Sequence, residues 1–318
     1  MVSLTTFIVK GSKAQSRLWI DRAAPRGDCG STVVITVTGS TGTIGSELVR
    51  LLSQAGVATR AIARGAAKAQ ALPHVTTLAA DLRDPESLDA ALSGTERLFL
   101  LTGNDPGFAP VQIGVVGAAA RAGVQHVVKL SALGASDHSR SGIARAHWEV
   151  EQAIQRSVIP WTMLRPHAFM QNWLGEVAES VRAERVIYSP IGAGRVPFID
   201  TRDIAAVAAK VLLDPRDHSG KKYVLTGGTA VGYADVAEAL SRLMGKTVTY
   251  RAITMEEARA RLAGKGVPAE LIDATLAIAA YQRDGGPTAV VSPTVERLLG
   301  RPPLTIEEFV RDHLASFL

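Results

Sequence analysis

Cysteine is almost missing: Cys29 is the single one in 318 residues. One thiol excludes an intramolecular disulfide and any cysteine-built metal site. His74, His126, His138, His218 and His313 are scattered without paired ligand spacing, so no metal centre is expected. No apolar run reaches the ~18 residues that a membrane-spanning helix needs. The chain therefore reads as soluble, with no membrane partner, and its cysteine usage fits a reducing cytoplasm. Excess charge of one sign is scarce too. The formal net charge is +5. Five bases (Lys10, Lys13, Arg17, Arg22, Arg26) against two acids (Asp21, Asp28) place +3 of it in residues 1–30, leaving +2 for the rest. A nearly neutral body gives no basic face for nucleic acid. Residues 1–31 lack both periodicity and a secretory apolar stretch, and read as a disordered or docked extension.

What the chain does have begins at Thr32. Val33–Val37 is a β-branched run suited to one buried strand. It enters Gly39-Ser40-Thr41-Gly42-Thr43-Ile44-Gly45, then a helical pattern with Ile44, Leu48, Leu51 and Leu52 on one side, then a second strand, Ala58–Ala63. Strand, glycine turn, helix, strand is a dinucleotide-binding unit, with the pyrophosphate over the helix N-terminus. The glycine spacing is GxxGxxG, which as a bare triplet also suits an ordinary strand-to-helix turn. Further strands are expected at Val75–Ala79, Arg97–Leu101, His126–Leu130 and Trp161–Leu164, with helices between them. Asp84-Pro85 starts one of these helices and Val111–Ala122 forms another. Six strands alternating with helices predict an α/β fold with a doubly wound parallel sheet. The expected division is a Rossmann core over 32–170 and a smaller, mostly helical lobe over 171–318. Elements from about 196 to 226 return to the core, through a helix at Asp203–Leu213 and a strand at Tyr223–Leu225. The lobe is expected to hold a helix at Trp173–Arg185, a strand at Thr247–Arg251 and a last helix opened by the Thr305–Glu308 capping box.

VTGSTGTIGSELVRLL followed by AIAR resembles the NmrA-like group of atypical short-chain dehydrogenases/reductases. The resemblance runs from about Val33 to the C-terminus. That group includes flavin-independent NAD(P)H:quinone reductases, dye and azo reductases, and a redox-sensing regulator. The resemblance implies that Asp81 and Leu82 lie by the adenine, that Ser131 contacts cofactor, and that Pro166 and the segment after it approach nicotinamide and substrate. Ala132, His167, Phe169 and Asn172 are then pocket residues. Ser131 also suits a turn cap, Phe169 a core position and Asn172 a helix-face amide.

The cofactor follows from the end of the second strand. NAD sites place an acid there and NADP sites a cation. This chain has Arg64, with Lys68 four residues on, and no acid between Glu47 and Asp81. A guanidinium on the 2′-phosphate contributes about 1.5–3 kcal/mol. NADP(H) is expected, held by Gly39, Thr41, Gly42, Thr43, Ile44, Gly45, Arg64 and Lys68. Thr102 and Gly103 lie where it passes.

Short-chain dehydrogenases use a Tyr-x-x-x-Lys pair on the helix after the fifth strand. Here the first tyrosine is Tyr188, and none of the five has Lys four residues later. The matching place holds His147-x-x-x-Glu151, one helical turn apart on one face. His147 could donate a proton with Glu151 raising its pKa; the same spacing serves a helix-surface or packing His with an i,i+4 partner. Members related to isoflavone reductases carry Lys at the matching place. Quinones, azo dyes and other electron-poor aromatics accept hydride without a strong acid, given near-attack geometry. The expectation is an NADPH-dependent, flavin-independent reductase of such acceptors, monomer or homodimer. The alternative is a non-catalytic NADP(H)-binding redox sensor.

Overall fold

The structure, a computed structural model, describes residues 33–65, 71–283 and 286–318. The 1–31 extension with Cys29, and Lys68, lie outside the described residues. In chain order the elements are β1 (Val34–Val37), α1 (Thr43–Gln54), β2 (Ala58–Ala63), β3 (Val75–Ala79), α2 (Pro85–Leu92), β4 (Arg97–Leu100), α3 (Phe108–Arg121) and β5 (His126–Leu130). Then come α4 (Gly142–Arg156), β6 (Trp161–Pro166), α5 (Glu176–Glu184), β7 (Val186–Ser189), α6 (Thr201–Leu213) and β8 (Lys221–Leu225). The last six are α7 (Tyr233–Met244), β9 (Thr249–Ala252), α8 (Met255–Gly264), α9 (Ala269–Arg283), α10 (Thr294–Leu299) and α11 (Ile306–Asp312).

The chain divides into two compact units, one of residues 33–138, Ala144–Pro166 and Arg202–Val224, the other of Ser139–Ile143, His167–Thr201 and Leu225–Leu318. The first carries a seven-stranded sheet in the order β3-β2-β1-β4-β5-β6-β8. Its first six strands join in parallel pairs. The order reverses between β1 and β4, which opens the switch-point crevice where doubly wound sheets bind ligands. β8 is the strand added to the six expected from the core sequence; it completes the edge beside β6. Helices on both faces bury the inner strands, so every residue of β5 is buried, Lys129 included. α1 packs Leu48, Leu51 and Leu52 inward. Asp84 caps α2 by accepting from the N–H groups of Glu86 and Ser87, with Pro85 in its first turn.

The second unit has its own core around Trp173, which meets Phe198 and Phe309 edge-on at 4.9 and 5.5 Å. Here the structure corrects the expected Trp173–Arg185 helix. A 3₁₀ turn over Met170–Leu174 ends at Gly175 (φ −91°, ψ −115°), and α5 begins only after it. The Thr247–Arg251 strand is found as β9, paired in parallel with β7, which periodicity does not reveal. The Thr305–Glu308 capping box opens α11 as expected. No helix among the described residues is long and apolar enough to cross a membrane.

Candidate active site

The glycine turn is built by close approach. At Gly45 a Cβ would stand 2.1 Å from the Gly39 carbonyl oxygen, so only glycine lets α1 start this near the turn. Gly39 itself has φ +63°, and a Cβ there would meet the Leu101 carbonyl at 2.8 Å. Two hydroxyls fasten the turn to the sheet. Ser40 donates to the Ile62 carbonyl at 2.7 Å, and Thr38 donates to Leu101 O and accepts from Leu101 N, both at 2.8 Å. Thr41, Gly42 and Thr43 are exposed above this base, and Ile44 and Gly45 are buried beneath it. α1 starts at Gly42 with no side-chain cap and no acid in its first turn. Its first N–H groups are therefore offered outward, as a pyrophosphate requires. The cradle fits a dinucleotide.

Around this cradle the other expected cofactor residues take varied places. Arg64 is exposed immediately after β2. Asp81 is exposed, but one carboxylate oxygen accepts from Arg83 N at 2.9 Å, so part of its capacity holds its own turn. Leu82 is half-buried. The Thr102 hydroxyl accepts from Gln112 Nε2 at 2.6 Å and donates to the exposed Gly103's carbonyl. Pro166 is buried, its carbonyl accepting from Leu133 N. Ala132 is half-buried at the head of the loop after β5.

The end of β5 carries the densest chemistry. Ser131 donates to Glu151 Oε1 at 2.6 Å. Glu151, fully buried, also takes a two-pronged pair from Arg165 on β6, at 2.9 and 2.6 Å, with Lys222 of β8 at 3.7 Å. Lys129, two residues before Ser131 on the same strand face, is fully buried. Its Nζ donates to the Leu130 carbonyl and meets His147 Nδ1 at 3.2 Å. The match is geometric: a two-residue step along a strand is about 6.6 Å and a four-residue step along a helix about 6 Å. Lys129 and Ser131 thus face His147 and Glu151 rung by rung.

This overturns the expected His147–Glu151 partnership. His147 is 5 % exposed, so it is not a helix-surface group, and its hydrogen bond goes to Lys129. Burial first, then the Lys129 charge, hold its pKa well below the ordinary histidine value, against the expected rise. The Lys129 ammonium is pushed down to about 7 by burial, with Glu151 opposing the shift. Phe108 of α3 packs on the imidazole at 4.8 Å between ring centroids.

In the second unit, His167 is buried with both ring nitrogens engaged. Nδ1 accepts from Ala168 N at 2.7 Å and Nε2 meets the Thr288 carbonyl at 3.1 Å, so it clamps its own segment and offers no free nitrogen to a substrate. Phe169 is half-buried and bridges to Ile199; Asn172 is exposed. No group of three or more His, Cys, Asp or Glu among the described residues could hold a metal ion.

The model of the NmrA-like family matches residues 31–310. The chain belongs to the NmrA-like family. It is 41 % identical over 286 residues to an NAD(P)H azoreductase of Xenophilus azovorans, covering 89 % of this chain and 99 % of the relative. A crystal structure of an NADPH-dependent quinone oxidoreductase of Escherichia coli complexed with NADPH superposes with TM-score 0.80 at 33 % identity, over 88 % of this chain and 99 % of that one. A Citrobacter triphenylmethane reductase complexed with NADP(H) does so with TM-score 0.77 at 27 % identity, over 87 % and 99 %.

Several working residues of this NmrA-like chain escape a reading by motif. Thr38 and Ser40 could be suspected only from their places flanking Gly39. Arg165 and Lys222 carry no local signal, because their shared partner is Glu151 on another element. Lys129 does carry one: it is a cation inside the otherwise apolar run Val127–Leu130, two residues before Ser131.

Proposed function

We propose that this chain is an NADPH-dependent, flavin-independent reductase whose acceptors are quinones, azo dyes or similarly electron-poor aromatics. The observation that carries the reading is the open, uncapped start of α1 over its glycine base, on a chain that spans almost the full length of azo- and quinone-reducing relatives. The first-turn N–H groups of α1 hold the pyrophosphate and the exposed Arg64 takes the 2′-phosphate. When bound, the dinucleotide supplies two electrons as hydride from its nicotinamide. His147 faces the acceptor through its Nε2 edge and donates a hydrogen bond as a neutral imidazole, which its lowered pKa favours. Glu151, pinned by Ser131 and Arg165, fixes α4 one turn beyond and so sets the position of that ring. Ala132, after β5, is proposed to contact the acceptor beside His147. The missing tyrosine agrees with an acceptor that needs a donor weaker than an activated phenol.

The test is NADPH oxidation with menadione, a benzoquinone and an azo dye, in wild type and His147→Ala. Acceptor-dependent turnover that falls about 10²-fold or more in the variant is expected. Tight NADPH binding with no turnover on any acceptor would instead favour a non-catalytic sensor.

A further inference from the structure

Lys129 poses a problem that the reductase reading leaves unsolved. An ammonium in the middle of β5, with no exposed surface, costs several kcal/mol of desolvation, and a methionine of similar volume would serve packing better. Its hydrogen bonds go to a carbonyl and an imidazole nitrogen, neither of them an anion. The carboxylate of the cluster is taken by Ser131, Arg165 and Lys222. The residue is thus aimed at His147.

We propose that Lys129 is a positioning residue for His147: its Nζ–H fixes the imidazole in the Nε2–H tautomer and reloads the ring with a proton each time Nε2 delivers one to the reduced acceptor. This rests on the reductase reading above. A hydrogen bond donated into Nδ1 leaves the ring proton on Nε2. Among the described residues Nε2 has no hydrogen-bond partner, while Phe108 packs against the ring and holds its plane. As the acceptor gains two electrons, its developing anion takes the Nε2 proton. One N–H bond breaks and one O–H (or N–H) bond forms on the acceptor. In the same step a Nζ–H bond of Lys129 breaks and a Nδ1–H bond forms. The ring ends neutral in the other tautomer and Lys129 ends as an amine. Solvent returns one proton, and the ring resets. No imidazolium is required, which suits a ring that burial keeps uncharged.

The other charged groups of the cluster are Glu151 on α4, Arg165 on β6 and Lys222 on β8, and they pair with one another; α3 presents the uncharged Phe108. Lys129 is therefore the group of this cluster expected to titrate with activity near neutrality, since burial keeps the His147 ring uncharged there. The pKa of Lys129, near 7, places the loss of its proton there.

The experiment compares wild type, Lys129→Met and Lys129→Gln by steady-state menadione reduction against pH and by ¹⁵N NMR of the His147 ring. Glutamine keeps an N–H donor for Nδ1 but cannot surrender the proton. Wild type should show a single Nε2–H tautomer and a kcat that falls as pH rises through about 7. Lys129→Met should mix the tautomers, lower kcat by about 10²-fold and lose that limb, with the KM for NADPH within about threefold. Lys129→Gln should keep the tautomer yet lose kcat to a similar degree. A Lys129→Met enzyme with wild-type kcat and an unchanged tautomer overturns the proposal. So does full kcat in Lys129→Gln, which decides the matter if the methionine variant does not fold. If wild type reduces no acceptor, the reductase reading fails by itself. The NMR comparison still tests the lock, which an unchanged tautomer in both variants refutes.

Discussion

At the scale of single residues, the cofactor preference is proposed to rest on Arg64. It stands exposed directly after β2, and no acid lies between Glu47 and Asp81 to replace it for a ribose hydroxyl. One charge-assisted hydrogen bond to the 2′-phosphate is worth about 1.5–3 kcal/mol. Arg64→Ala should therefore raise the KM for NADPH about 10- to 100-fold and leave that for NADH nearly unchanged. Equal losses with both cofactors would show that Arg64 supports the loop and does not read the phosphate. Glu151 makes a different kind of claim. Glu151→Gln keeps the shape but removes the charge that Arg165 and Lys222 share, leaving a half-buried guanidinium without its anion. Breaking a fully buried pair costs about 3–5 kcal/mol; Arg165 keeps some solvent, so chemical denaturation should register a loss of about 2–3 kcal/mol. A loss below about 1 kcal/mol would mean that solvent already screens the pair.

The elements explain why some of this is legible in the chain and some is not. The turn after β1 is legible because every contact it needs is local. Gly45→Ala sets a methyl 2.1 Å from Gly39 O and should cost about 1–3 kcal/mol along with nucleotide binding. Gly42→Ala meets the same carbonyl at 3.4 Å with an ordinary φ of −81°, and should cost only about 0.5–1 kcal/mol, the loss of a glycine N-cap. Thermal unfolding of the two variants separates close packing from cofactor approach; equal destabilisation would refute the distinction. The capped starts of α2 and α11 are legible for the same local reason. Long-range partners are not. The four-residue spacing on α4 shows that His147 and Glu151 share a face, yet what meets that face is set by β5, where residues 129 and 131 repeat at nearly the same length. An i,i+4 pair looks self-sufficient in sequence, and here each member has a separate partner. β7 goes unseen because its four residues lie between Arg185, in a left-handed conformation, and Pro190. The Trp173–Arg185 periodicity runs through Gly175, where the backbone leaves the helix.

Across the whole molecule, buried bases make stability depend on pH in one direction over a wide range. His126 in the first unit and His167 in the second both have pKa values of about 4, chiefly because burial disfavours the charged ring. Arg97 adds repulsion at His126. The His167 hydrogen bond requires a neutral ring, since Nδ1 accepts from Ala168 N, while Thr162 donates to His218 O and so accepts from His126. An unfolded histidine binds its proton below about 6.5, and these folded ones do so only below about 4. Between those values the unfolded state holds more protons, so stability falls as pH drops through that window, by on the order of 1–3 kcal/mol for each ring. Lys129 extends the same slope upward. Its folded value of about 7 lies below the ordinary 10.5, so the unfolded chain again holds the extra proton and stability rises from pH 7 towards 10. Denaturation midpoints at pH 5, 7 and 9 should therefore climb throughout. Lys129→Met should be at least as stable as wild type at pH 7 and flatten the alkaline limb alone; His167→Gln should make the acid limb shallower, by about half of what the two rings give together, and leave the alkaline limb unchanged. An alkaline limb that survives Lys129→Met would mean that the lysine finds water in the folded state, and the cost of burying it would then be far smaller than its position in β5 implies.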